Sequence, residues 1–360
     1  MKRWLTKPLG ELLKVQNGFA FKSELFNDDG KGLPIIRIRD LARGFSETFY
    51  NGKHDSEFEV EKGDFLIGMD GEFRCYRWQG GKALLNQRVC RLQNFSRDLN
   101  ASYVFYGINE HLRKIEDSTA FVTVKHLSSK QIASIEMAVP PFVEQERIVK
   151  LLDEADELRK LRVQADTRTN ALLPALFNEM FGDPVKNPKG WPMVLLVETT
   201  SPKQWPTITQ QQLTESGYPV YGANGKIGFY SEFNHVEETV LITCRGATCG
   251  TINVCEPKSY VTGNAMSLDD PNPALLTVPY LASVLRVRGV HDTITGSAQP
   301  QITRQSLARV SFPAPPLPLQ KEFAQRVTEI REVEAAQAAS RCRTEDLFQS
   351  MLHKAFNGEL

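Results

Sequence analysis

The chain says nearly the same thing twice. Pro140-Pro141 opens PPFVEQERIVKLL, and 175 residues later Pro315-Pro316 opens PPLPLQKEFAQRV. The same offset carries Gln145 onto Gln320, Ile132 onto Leu307, Ile135 onto Val310, Leu172 onto Leu347 and Phe181 onto Phe356. Upstream it lays FLIGMDG (residues 65–71) on VLITCRG (residues 240–246), matching Leu66 to Leu241 and Gly71 to Gly246. One register held over so much chain marks an internal duplication. Its period is about half of the 360 residues, far longer than a solenoid repeat.

Each half has two parts. The first carries short β-like runs (LPIIRIRDL, DFLIGMDG, TVLITCRG, TINVC) punctuated by Gly, Asn and Asp. The second is helical. Ile148, Leu151, Leu152, Ala155, Leu158 and Leu161 recur at three- and four-residue spacing, and Leu172, Leu173, Leu176, Phe177 and Met180 resume the pattern before Gly182-Asp183-Pro184 stops it. In the second half Phe323, Val327, Ile330 and Val333 begin the pattern, and Leu347, Met351, Leu352 and Phe356 end it before Gly358. Helices of roughly 36 residues would be on the order of 55 Å long. Such an amphipathic helix needs cover for its apolar stripe. Packing on its own domain is one solution; the duplication favours the two helices pairing with each other as an antiparallel coiled coil. Pro174, with Gln349 as its counterpart, predicts a kink or break in the first helix. The expected architecture is α+β: a domain over 1–141, a long helix over 142–182, a second domain over 183–316 and a second helix over 317–360.

The formal net charge is +0, so a nucleic-acid partner would have to be held by local basic faces. Nothing near the N-terminus reads as a signal peptide, and no run approaches the roughly 18 apolar residues of a membrane span. The expectation is a cytoplasmic chain. Cys244, Cys249 and Cys255 lie near His235, but they lack a close C-x-x-C pair and sit in strand-like sequence, so buried thiols are expected over a metal site. No adenine-methyltransferase or P-loop motif is present, since GANGKIG lacks the Gly-Lys-Ser/Thr ending. Six histidines form no triad or HExxH, and Asp64 and Asp70 are expected in solvated turns.

Two β-rich parts alternate with two long helices, each opened by PP-x-x-x-Q. The helix ends LLPALFNEMFGDPVKNPKGW (172–191) and LFQSMLHKAFNGEL (347–360), with NGFAFKSELF, GDFLIGMDGEF, YGANGKIGFYSEF and LITCRGATCGTINV in the domains, together resemble the specificity subunit of type I DNA restriction–modification systems. The resemblance covers essentially the whole chain. It implies two target-recognition domains, each reading half of a bipartite, asymmetric site on double-stranded DNA. It implies helices that set the gap and dock two modification subunits, which would carry the S-adenosylmethionine, plus motor–nuclease restriction subunits in the full complex. The chain itself would be non-catalytic and need no cofactor. A fused enzyme, or a duplicated scaffold that binds proteins rather than DNA, is the competing reading.

Base reading needs donors and acceptors aimed at groove edges, with Lys and Arg on phosphates. First-domain candidates are Lys22, Ser23, Arg37, Arg39, Arg74, Tyr76, Arg77, Asn86, Gln87 and Arg88. Strand alternation in IIRIRD would put Arg37 and Arg39 on one face, either DNA-facing or merely solvated. Second-domain candidates are Tyr221, Asn224, Lys226, Arg245, Asn264, Ser297 and Gln299. Lys125 and Gln299 stand at nearly matching places before each helix, where each could reach the DNA backbone or simply cap its domain.

Overall fold

The computed structural model describes residues 4–118, 125–223, 225–296 and 299–360. They divide into two compact units, 1–161 with 341–360, and 162–340.

The two units share one framework. In the first, strands Lys14–Asn17, Val89–Gln93, Phe65–Gly68 and Cys75–Arg77 form an antiparallel sheet in that spatial order. In the second, Ser201–Gln204, Ala265–Asp269, Thr239–Thr243 and Ile252–Cys255 do the same. Phe65–Gly68 and Thr239–Thr243 are buried at every position, which is why they read as continuous apolar runs rather than alternating ones. A two-stranded ribbon joins Leu5–Pro8 to Glu136–Val139 in one unit and Met193–Leu195 to Ser311–Pro313 in the other. A further sheet has five strands in the first unit and three in the second, each with one parallel pairing.

Each domain also buries a helix, Ala101–Ser118 or Val278–Arg288, that the strand signals overshadowed. In the first, Tyr103, Val104, Ile108 and Leu112 form its buried face. Their spacing of one turn was available in the sequence.

Hydrogen bonds repeat with the duplication. Tyr103 donates through its hydroxyl to the Ala138 carbonyl, and Tyr280 donates to the Pro313 carbonyl. Leu9 N–H reaches the Ile135 carbonyl, and Leu196 N–H the Val310 carbonyl, both at 2.9 Å. Leu9 and Leu196 are 187 residues apart, not 175, because the first domain carries more chain between there and the central strand.

The PP-x-x-x-Q motif is a lock. Gln145 and Gln320 are both fully buried. Gln145 donates from Nε2 to the Pro140 and Asp98 carbonyls (2.8 and 2.9 Å), and its Oε1 accepts from Asn100 N–H at 2.8 Å. Gln320 donates to the Pro315 and Leu275 carbonyls (2.8 and 2.7 Å) and accepts from Thr277 N–H at 2.9 Å. Each glutamine thereby ties the start of a long helix to the N-terminus of its domain's buried helix.

The second long helix is continuous over Leu317–Asn357. The first is broken into Phe142–Asn170 and Leu172–Phe181. The break falls where Pro174 dictates: it has no N–H for the Asn170 carbonyl, and its ring crowds that carbonyl. In the first unit Arg147 donates to the Leu360 carbonyl at 2.8 Å, while Arg159 pairs with Glu345 at 2.8 Å and lies over the Phe348 ring. One set of numbers rises as the other falls, so these segments run antiparallel. In the second unit Phe177 and Phe181 both pack on Phe323. The apolar stripe is not covered throughout: Ile148, Leu152 and Ala155 are buried, but Leu158 and Leu161 are exposed.

Candidate nucleic-acid interface

Three first-domain segments meet through backbone bonds beyond the strand Phe65–Gly68. Met69 N–H donates to the Arg88 carbonyl at 3.0 Å, Leu127 N–H donates to the Met69 carbonyl at 2.7 Å, and Asp70 bridges His126. The second domain repeats this: Cys244 N–H to the Asn264 carbonyl (3.3 Å), Ile302 N–H to the Cys244 carbonyl (3.0 Å), and Arg245 bridging Gln301. Gly71 and Gly246 turn the chain just past each bridge at φ 79° and 86°, a conformation that favours glycine.

This corner gathers several candidates. Gln87 and Arg88 are exposed on the turn before the strand Val89–Gln93. Arg88 donates from Nη1 to Asp70 Oδ2 at 2.6 Å, and His126 Nδ1 donates to Asp70 Oδ1 at 2.8 Å. Asp70 is therefore not the solvated turn residue expected, because Arg88 and His126 both donate to its carboxylate. Asp64 is likewise engaged, pairing with Arg91 at 3.2 Å and accepting from Glu61 N–H. Arg245 and Asn264 are exposed at the matching corner of the second domain. Asp70, His126 and Gln301 were missed as site residues, although the 175-residue register carries Asp70 onto Arg245 and His126 onto Gln301.

Other candidates lie elsewhere. Lys22 and Ser23 are exposed at the short turn Ser23–Leu25. IIRIRD is not one strand. The strand ends at Ile36, and Arg37 precedes a short helix, Ile38–Leu41, because the Asp40 carboxylate accepts from Arg37 N–H at 2.9 Å. Arg37 lies over Phe26 and Arg39 is exposed beside Asp40. Arg74 is exposed near Glu72. Burial pushes the half-buried Tyr76 phenol up. Arg77 lies over both Phe65 and Phe105 and donates to Ser102 Oγ at 3.0 Å, so its guanidinium is spent on packing. Asn86 is buried, its Oδ1 accepting from Gln87 N–H. Gly18 N–H and Phe19 N–H bond the backbone beside it, and a Cβ at Gly18 would strike the Asn86 carbonyl.

Lys125 is held by Glu116 at 3.3 Å; Glu116 sits below the usual carboxylate range chiefly because it accepts from Phe73 N–H. In the second domain Tyr221 is buried with its hydroxyl on Glu256, and burial pushes it up to about 12. Lys226 is exposed, 3.6 Å from the same carboxylate. Gln299 is exposed, but the structural counterpart of the first-domain bridge is Gln301, two residues on. Asn224 and Ser297 lie outside the described residues.

Cys244, Cys249 and Cys255 are buried thiols, and burial raises all three. His235 is spent on Asn234 and Asp269. Among the described residues no group of three or more His, Cys, Asp or Glu is placed to hold a metal ion, and no helix is long and apolar enough to cross a membrane.

Residues 1–166 and 188–337 each match the type I restriction modification DNA specificity domain. The sequence is 38% identical over 150 residues to the type I restriction enzyme EcoBI specificity subunit of Escherichia coli, covering 42% of this chain and 32% of that one. It is 22% identical over 231 residues to the MjaVIII specificity subunit of Methanocaldococcus jannaschii, covering 64% of this chain and 52% of that one. These matches span only about a third to a half of the curated relatives. The fold is similar to that of the type I restriction–modification S subunit from M. genitalium (TM-score 0.62, 16% identity, 98% of this chain and 96% of that one). A chain from a solved type I R-M system gives a TM-score of 0.57 at 18% identity, covering 99% and 98%.

Proposed function

The chain belongs to the type I restriction–modification DNA specificity family, and from that premise we propose that it is the DNA-recognition subunit of such a complex. Each β-rich domain reads one half of a bipartite, asymmetric site on double-stranded DNA. The long helices set the spacing and dock two modification subunits, which bind S-adenosylmethionine and methylate adenine. Motor–nuclease subunits join the full complex, and this chain contributes no catalysis. The observation that carries the reading is the paired corner: the two domains hold the same three segments by the same backbone bonds, yet present different polar side chains there. The family match does not favour a scaffold that binds only proteins.

The exposed candidates divide by chemistry. Lys22, Arg39, Arg74 and Lys226 suit phosphates, while Gln87, Arg88, Arg245 and Asn264 suit base edges. The first domain is the more basic, so it supplies more of the phosphate term.

The test is binding of the chain, assembled with its modification subunits, to duplexes carrying both half-sites. Affinity should fall steeply as salt rises, because phosphate contacts release counterions. Altering one half-site should leave the preference at the other intact. Methyl transfer by the chain alone, or no DNA binding at low salt, would sink the proposal.

A further inference from the structure

At two buried points the duplication has kept its side chains: Gln145 and Gln320, Tyr103 and Tyr280 make the same bonds in both halves. At the corner described above it has kept the backbone and replaced the chemistry. Asp70, Arg88 and His126 in the first domain stand where Arg245, Asn264 and Gln301 stand in the second. Asp70 is half-buried and the other five are exposed.

We infer that these matched positions are where each domain reads base edges, with Arg88 taking a guanine in one half-site and Asp70 aiming it; the inference rests on the recognition reading above. Base readout needs side chains that start from fixed backbone positions, and the cross-segment hydrogen bonds supply that. Arg88 then has a second constraint. Its Nη1 is clamped at 2.6 Å to Asp70, whose other oxygen accepts from His126 at 2.8 Å. A guanidinium carries five N–H donors in a rigid fork. The clamp fixes the fork while leaving most of those donors for a ligand, and two parallel donors match the O6 and N7 acceptors of guanine.

Asp70 is thus a positioning residue. In the second domain Arg245 occupies the place of that carboxylate. That domain offers the amides of Asn264 and Gln301, each a donor beside an acceptor, the pattern that pairs with adenine N6 and N7.

The experiment selects duplexes from a randomised pool with the full chain assembled with its modification subunits, comparing wild type, Arg88→Ala, Arg88→Lys and Asp70→Asn. Arg88→Ala should cost roughly 5- to 150-fold in discrimination for guanine at one base pair of one half-site, leaving the other half-site unchanged. Arg88→Lys keeps the charge but not the fork, so it should fail to restore that preference. Asp70→Asn should relax the same base pair while overall affinity holds. Uniform weakening rescued by Lys would show a phosphate contact and overturn the inference. So would preferences unchanged in all three variants while the wild type selects. A wild-type complex that selects no sequence would overturn the recognition reading itself, and this inference with it.

Discussion

Gln145→Ala should destabilise its unit by roughly 2–4 kcal/mol, and Gln320→Ala should do the same to the other, since each removes the three hydrogen bonds of a fully buried amide, one of them to a buried carbonyl. Thermal unfolding of the two variants checks this, and a loss confined to one of them would break the equivalence. Asp269 gives a pH test. Burial pushes its carboxyl up, but hydrogen bonds from His235, Ser267 and Trp205 outweigh that and leave it below the ordinary range. A folded-state pKa lowered in this way stabilises above the unfolded value of about 4, and the gain is lost as pH falls through the folded value. Asp269→Asn should therefore be less stable than wild type at neutral pH, with the difference shrinking as pH is lowered past about 4; melting curves from neutral to acid pH read this directly. The glutamines were legible in the sequence because the repeat preserves them at a fixed spacing. Asp70 was not, because its partners Arg88 and His126 are 18 and 56 residues away and only the folded bridge brings them together.

Among the elements, the long helices were legible from their period, and so was the break that Pro174 imposes. The helix Ala101–Ser118 was overlooked, and IIRIRD was misjudged, for one shared reason. Short runs of apolar and β-favouring residues look like strands until a local cap such as Asp40 decides otherwise. The helix Ala101–Ser118 carries its own test. Gly107 stands inside it, where glycine costs up to about 1 kcal/mol against alanine. A Cβ there would meet the Phe356 ring and the Met137 thioether methyl. Phe356, near the end of the second long helix, packs at a tilt on Tyr103 with centroids 4.9 Å apart. Gly107→Ala should therefore destabilise the first unit by about 1–3 kcal/mol despite its better helix propensity, because overpacking outweighs propensity. Protease cutting within residues 341–360 should accelerate as that seat is lost. A more stable Gly107→Ala variant would show that the close approach is not needed. Phe181→Ala is the second unit's counterpart. Its ring is buried against Phe177, Tyr280 and Phe323, so its loss should cost about 3–5 kcal/mol in thermal unfolding.

For the molecule as a whole, the chain passes between its two units twice, at Leu161–Arg162 and at Ser340–Arg341, and both crossings are within long helices. If the units are recognition domains on one duplex, those crossings set the gap between the half-sites. Inserting four helix-forming residues at one crossing alone would leave the two connections between the units unequal in length. The insertion therefore belongs at both crossings together. Four residues add roughly 6 Å of rise and turn the helix about 40° past a full revolution, a small offset for the facing stripes. Successive base pairs rise about 3.4 Å, so the preferred spacer should lengthen by one or two pairs. Half-site sequences should stay as they were, because neither domain has been altered. Flexible tethering predicts something else: loosely linked domains accept a range of spans, so the paired insertion would leave the preferred spacer where it was. Sequencing methylated sites in cells carrying the altered chain separates these outcomes. An active complex with an unchanged spacer would eliminate the helices as the ruler, while a longer spacer between unchanged half-sites would establish that length along these two helices is read out as distance along DNA.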